Sequence, residues 1–326
     1  MARKTKQKSK KKKNNNWIIV LLITIAILLI IGLFYQSNSD IFKFAKQKPL
    51  SEQKQADNKK EESNKVFKNN PRQNNITSSQ EKRKETPSSK ISQNSSLIGI
   101  KDLEVPAELI DRPSQIIRHA GYIVSYNGDW KIPNWVAYEL TAKETNSIVK
   151  RTNKFIVDPN VKNNSAQNSD YSKSGYDRGH MAPAADMGWS ETTMKESFYF
   201  SNMCPQVPSL NRGIWKNLED KCRDWAIRDS AILITTGPIN IGAKNTIGKN
   251  KVLIPSHFYK VIVSPFGRKA KGIGFIIKNE GSLESIKKFA VPIDSIEKLT
   301  EIDFFHLLPD SIEESVESNY TISDWF

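Results

Sequence analysis

Nineteen consecutive uncharged residues, Trp17 to Tyr35, constrain this chain more than any other stretch. The run is almost wholly Ile, Leu and Val and has no polar face, so it cannot lie on the surface of a soluble fold. At about 1.5 Å per residue it reaches roughly 28 Å, close to the hydrocarbon thickness of a bilayer. Aromatic residues stand at both ends, and eight Lys and Arg lie between Arg3 and Lys13. That charge bias predicts a single-pass transmembrane helix in a bacterial-type cell membrane. Residues 1–16 would form a basic cytoplasmic tail, and everything after Tyr35 would lie outside. The alternative is a cleaved signal peptide, whose apolar core is about 7–15 residues long with small residues at the cleavage point. Only Ser37 and Ser39 could mimic such a point, and in either case the remainder is exported.

Residues 36–96 are rich in Lys, Asn, Gln, Ser and Glu, with apolar residues scattered without period. Such a segment buries too little surface to offset its chain entropy, which predicts a disordered linker. It reads as a solvated spacer, or as a basic tether able to hold anionic lipid or nucleic acid. The formal charge of +14 belongs to this N-terminal part: residues 1–95 hold 21 Lys and Arg against 7 Asp and Glu, and residues 96–326 hold 28 of each. Net charge therefore gives no argument for a basic binding face on the globular part, and any such face must come from local clustering.

From about Leu97 to Phe326 the texture is that of one globular domain. Tyr122–Tyr126 and Trp135–Thr141 read as strands across the Asn127-Gly128 turn signal. Lys154–Val157 and Phe198–Ser201 read as short strands, with a polar loop from Val161 to Ser174. Ala231–Thr236 is a buried strand ended by Gly237-Pro238, and His257–Val263 and Gly272–Ile277 form a pair across Pro265-Phe-Gly267. Leu210, Ile214, Leu218, Cys222 and Trp225 recur at helical spacing, which predicts one helix over Ser209–Ile227. On a regular helix Glu219 would lie about 80° from Asn211, so both could reach one side, two turns apart. Strands and few helices without a βαβ rhythm indicate an α+β fold.

The chemistry concentrates in two blocks. Tyr176-Asp-Arg-Gly-His-Met-Ala-Pro-Ala-Ala-Asp-Met187 contains His180, a proton acceptor near neutral pH, and Arg178, a fork of donors suited to phosphate. Gly179 would let the backbone bend between them. The second block is Ser201-Asn-Met-Cys-Pro-Gln206 followed by Leu210-Asn-Arg-Gly-Ile-Trp-Lys-Asn-Leu-Glu219. Asn211 offers a neutral, hard oxygen ligand that suits Mg²⁺. Hydrolysis of a phosphodiester needs these things together: a base for water, counter-charge for the phosphate, and a stabilised leaving oxygen.

Both blocks, in this order and spacing, resemble the signatures of the DNA/RNA non-specific endonucleases, the ββα-metal nucleases of endonuclease G type. The resemblance covers roughly residues 115–315. It implies a ββα-metal fold with a mixed or antiparallel sheet core. It implies a sequence-non-specific endonuclease acting on DNA and RNA, with Mg²⁺ as cofactor and Mn²⁺ as a substitute. It makes His180 the general base, Asn211 the direct metal ligand, and Glu219 the residue that holds metal-bound waters. Arg178 would bind the scissile phosphate, with Asn202 and Arg151 as further substrate-binding residues. Non-specificity fits, since these contacts address phosphate rather than base edges. The alternative is a catalytically silent surface module that binds nucleic acid.

Asp177 reads as a structural acceptor, Trp215 as core, and His119, His257 and His306 as structural. Cys204 and Cys222 lack the spacing of a zinc site. In an exported domain an even pair favours a disulfide, which would stabilise by about 3 kcal/mol. The other reading is two buried thiols, with Cys222 on an apolar helix face. Oligomeric state is not readable from the sequence.

Overall fold

The structure, a computed structural model, describes residues 101–162, 164–265 and 269–326. The basic tail, the apolar run Trp17–Tyr35 and the linker to residue 96 lie outside the described residues, as does most of the Pro265–Gly267 turn. Among the described residues no helix is long and apolar enough to cross a membrane.

The strands are β1 (Gln115–Arg118), β2 (Ile123–Asn127), β3 (Ile132–Thr141), β4 (Asp177–His180), β5 (Met203–Gln206), β6 (Ala231–Ile239), β7 (Thr246–Ile247), β8 (Val252–Leu253), β9 (His257–Ser264), β10 (Lys271–Lys278) and β11 (Ala290–Val291). The helices are α1 (Asn168–Tyr171), α2 (Glu191–Ser197), α3 (Trp215–Asp229), α4 (Ile293–Thr300), α5 (Asp310–Glu317) and α6 (Ile322–Trp325). Seven strands form one sheet in the order β1-β2-β3-β6-β9-β10-β11, every pair antiparallel. The α+β expectation holds, with an antiparallel core.

Both faces of this sheet are covered, which is why β6 and β9 are buried at every position rather than alternately. One face packs on α3: Trp225 stacks on Phe275 at 6.1 Å between ring centroids, and Trp215 meets Phe258 at 5.6 Å. The other face meets the C-terminal segment, where Phe304 lies 5.4 Å from Tyr259.

Strand β6 does not end at Gly237-Pro238 but runs to Ile239. Its pairing with β3 stops at Thr236, so the missing N–H of Pro238 faces no partner strand on that side, while β9 continues on the other. Gly237 admits the close approach of Asn134, whose carbonyl oxygen would lie 2.6 Å from a β-carbon there. Two other expected strands are not strands. Lys154–Val157 contributes only an isolated bridge, Ile156 to Tyr199, and Phe200–Asn202 form a 3₁₀ turn. Four-residue apolar runs cannot declare a period, and here both are held by the core around Phe198 and Phe200.

Candidate active site

Strands β4 and β5 form a separate antiparallel ribbon, which leads into α3 through Leu210–Ile214. The order strand, strand, helix is the ββα unit, and β4 is the Asp177-Arg-Gly-His180 motif itself. Alternation puts Arg178 and His180 on one face of the ribbon. Phe155 touches both, with the Arg178 guanidinium 5.0 Å above its ring and the His180 ring 5.7 Å away.

Gly179 is not at a bend. It pairs with Cys204 in the ribbon, and the space it leaves is filled by Gln206: a β-carbon on Gly179 would sit 2.0 Å from Oε1 and 2.5 Å from Cγ of that side chain. The glycine is required by packing rather than by backbone curvature.

His180 is 7% exposed and packs edge-on against Phe198, with ring centroids 4.9 Å apart. Its Nε2 has no protein hydrogen-bond partner. Burial and, after it, the charge of Arg151 lower its pKa to about 3, against a hydrogen bond to the backbone of Arg178. The ring is therefore neutral at pH 7 and offers Nε2 as a lone-pair acceptor. Arg151 lies over the same Phe198 ring at 5.0 Å and interacts electrostatically with Glu219. Arg151 and His180 thus share the Phe198 ring, and the charge of Arg151 reaches Glu219. The Arg178 guanidinium lies over the rings of Phe155 and Tyr171, its Nη2 donating to Asn168 O at a long 3.4 Å, with Nε unpartnered.

The predicted continuous helix over Ser209–Ile227 is interrupted. Leu210–Ile214 form a wide π-type turn in which Gly213 (φ −108°, ψ −115°) leaves helical geometry, and regular α3 begins at Trp215. π-type turns inside helices recur at functional sites. Here the turn re-aims Asn211: its Nδ2 donates to Asp177 Oδ2 at 2.9 Å. Asp177 also accepts two bonds from Arg212, at 2.8 and 2.6 Å. It is the structural acceptor the sequence suggested. Tying down the amide nitrogen leaves Asn211 Oδ1, a carbonyl oxygen, without a partner among the described residues.

Glu219 is half-buried on α3, and no donor among the described residues hydrogen-bonds its carboxylate. Burial raises its pKa to about 8, with Lys260 and Arg223 pulling down and Asp186 and Asp220 pushing up. These neighbours form a charged layer that sequence reasoning missed. Asp186 is fully buried and accepts from Tyr138 Oη at 2.9 Å and from Arg223 at 2.6 Å. Lys260 on β9 is fully buried, its ammonium 5.1 Å above the Trp215 ring. A signal existed: Lys260 is the only Lys, Arg, Asp or Glu in Phe258–Ser264.

The open oxygens that Asn211 and Glu219 offer make an oxygen-only donor set. It fits a hard divalent cation that keeps most of its waters.

Two sequence assignments are corrected. Asn202 is fully buried and spends its amide internally, accepting from Ala182 N at 2.8 Å and donating to Ala182 O and Ser197 O at 2.9 Å. It clamps the segment that follows His180 and has no surface left for substrate. Cys204 and Cys222 are not bridged: both are free, buried thiols. Their surroundings differ, with Cys204 among Tyr126, Tyr171 and Tyr259, and Cys222 beside Lys260, Asp186 and Glu219.

The family model for DNA/RNA non-specific endonuclease matches residues 108–311, which include every residue of this site. The chain belongs to that family. It is 34% identical over 209 residues to Nuclease C1 of Cunninghamella echinulata var. echinulata, covering 59% of this chain and 83% of that protein. It is 32% identical over 206 residues to mitochondrial Endonuclease G of Bos taurus, covering 59% and 69%. Its structure superposes on a crystal structure of an EndoG/EndoGI complex with a TM-score of 0.59 and 31% identity, covering 64% of this chain and 93% of the other. These relatives share the endonuclease domain and leave the first hundred residues of this chain unmatched by the family.

Proposed function

We propose that the domain is a divalent-metal-dependent endonuclease that hydrolyses phosphodiester bonds in DNA and RNA without sequence preference, using Mg²⁺ and accepting Mn²⁺. The observation that carries this reading is the pairing of two open acceptors in one ββα unit: Nε2 of neutral His180 and Oδ1 of Asn211. His180 Nε2 takes a proton from the attacking water as its oxygen bonds to phosphorus. Arg178 and Arg151 hold the phosphate through their guanidinium donors. The dianionic phosphorane collapses with loss of the 3′ oxygen, which takes a proton from solvent water, and the imidazolium returns its own proton to solvent. Asn211, through Oδ1, and Glu219, through water, would hold the cation, which when bound supplies counter-charge to the phosphate and the leaving oxygen. The buried layer of Asp186, Arg223 and Lys260 fixes α3 and sets the charge under Glu219.

We further propose that residues 17–35 anchor this enzyme in a cell membrane with the domain outside, on the strength of the apolar run and the positive charges before it. The test of the activity is incubation of the purified chain with supercoiled plasmid and with RNA, in Mg²⁺, in Mn²⁺ and in EDTA. Cleavage of both polymers that EDTA abolishes is expected. Intact substrates in both metals, or equal cleavage in EDTA, would overturn the proposal.

A further inference from the structure

Helices α4 and α5 lie across the sheet from α3. They pack on the face of β10 that carries Gly272 and Gly274, where a β-carbon would come within 2.1 Å of Val316 O and 2.6 Å of Ile296 Cδ1 respectively. Phe275, between the α3 face and Trp225, points the opposite way. On this far side Asp294 and Glu297 stand three residues apart on α4, and so on one helix face, and Glu317 ends α5.

The three carboxylates offer oxygen atoms that all lie within 4.8 Å of one another. Among the described residues none of the three forms an ion pair with Lys or Arg. Glu317 is 6% exposed, and its Oε1 has no hydrogen-bond partner. A buried, unpaired carboxylate oxygen aimed at two further carboxylates is costly unless a cation or a proton joins them. Glu297 Oε1 accepts from Phe304 N at 2.9 Å, which orients that carboxylate and leaves Oε2 for another partner. Asp303 and Glu313 add negative charge that acts on both Glu297 and Glu317. Lys298 acts on Asp294 as a counter-charge. Burial and these like charges push Glu317 up to about 10 and Glu297 to about 7.

We propose that Asp294, Glu297 and Glu317 form a second divalent-cation site, selective for Ca²⁺ over Mg²⁺, that ties α4 to the end of α5 and is independent of catalysis. The donors are all hard oxygens, which excludes the softer transition metals as natural occupants. Ca²⁺ binds carboxylates at about 2.3–2.6 Å in flexible geometry, which suits three carboxylates brought together from two separate helices. Mg²⁺ requires a tighter octahedron at about 2.0–2.1 Å and dehydrates reluctantly. Glu317 lies beyond residues 108–311, so the trio is not contained in the segment matched by the family.

The experiment is calorimetric titration of Ca²⁺ into full-length protein carrying Asn211→Ala, so that the catalytic region contributes no metal ligand, with melting curves beside it. One Ca²⁺ per chain is expected. Adding Glu297→Gln and Glu317→Gln should abolish it. Ca²⁺ at a hundredfold its dissociation constant should raise the melting temperature by roughly 5–10 °C. Without cation, Glu317→Gln alone should melt at or above wild type, because the crowded carboxyl holds a proton there and the amide keeps its shape with no charge to desolvate. With Ca²⁺ the order should reverse, while Mg²⁺-dependent cleavage by Glu317→Gln stays at the wild-type level. No binding at millimolar Ca²⁺, undiminished binding after both Gln substitutions, or equal affinity for Mg²⁺ would each overturn the assignment.

Discussion

Asp177 Oδ2 accepts the Nδ2–H of Asn211 at 2.9 Å, and this one bond decides which end of the asparagine side chain is available. An amide can present either its oxygen or its nitrogen, and only the oxygen can hold a cation. The first residue of the motif strand thus orients the proposed metal ligand 34 positions later.

Asn211→Ala is expected to raise the Mg²⁺ concentration for half-maximal cleavage beyond rescue. Asp177→Ala should raise it by about 10–100-fold, the usual effect of losing a residue that orients a metal ligand. Mg²⁺ titrations of plasmid cleavage provide the measurement, and an Asn211→Ala curve that overlays wild type would place the cation elsewhere.

His180→Ala is expected to lower turnover by about 10²–10⁴-fold at saturating Mg²⁺, with an unchanged circular dichroism spectrum. The ring fills a pocket against Phe198, so His180→Gln serves as a bulkier control for packing. Turnover within tenfold of wild type in both variants would remove His180 from the role of base.

Gly179→Ala is expected to destabilise the domain by about 1–3 kcal/mol, as overpacking of a tight site does. Gln206 is fully buried, so its side chain has no open direction in which to yield. Urea unfolding measures the loss, and a midpoint equal to wild type would show that Gln206 repacks freely.

Acid sensitivity should come in part from Asp158. Burial alone would raise its carboxyl, but hydrogen bonds from His119 and Ser201, at 3.0 and 2.6 Å, more than offset this and hold it below the usual range. A depressed folded pKa contributes stability that is present above the unfolded value of about 3.9 and lost as pH falls through the folded value. Melting temperature should therefore drop as pH falls from about 5 toward 2. In Asp158→Asn the fold should be weaker at pH 7 and the slope over that window shallower. An identical slope in the two proteins would assign the acid transition to other carboxylates.

If the anchor and topology are as proposed, protease added to intact cells should release the domain by cutting between Gln36 and Ser96. A domain that is digested only after lysis would place it on the inner side.

His180, Arg178, Asn211, Glu219 and Arg151 stood out in the sequence through their motif spacing and the family resemblance, and the structure sets Arg178 and His180 on one face of the ribbon and Arg151 against the same Phe198 ring as His180. The antiparallel pairs β2–β3 and β9–β10 were legible from turn residues between apolar runs. The charged layer under Glu219 was not, because Lys260 reaches α3 from a strand 41 residues later and nothing local marks the encounter. Asn202 was misassigned for a related reason: the same carboxamide can face substrate or close three internal bonds, and only tertiary packing chooses. The helix was predicted unbroken because Leu210, Ile214 and Leu218 keep their spacing across Gly213 while the backbone does not.

The fit of Gln206 against Gly179 also works as a key for strand register. Sliding β4 by one residue past β5 would bring Arg178 or His180 opposite the place that accepts only a bare α-carbon. The same slip would turn every β4 side chain to the other face and carry the imidazole away from Phe198. The smallest residue of the motif thereby excludes the misaligned ribbon, and the side on which the base emerges is decided by a missing methyl group.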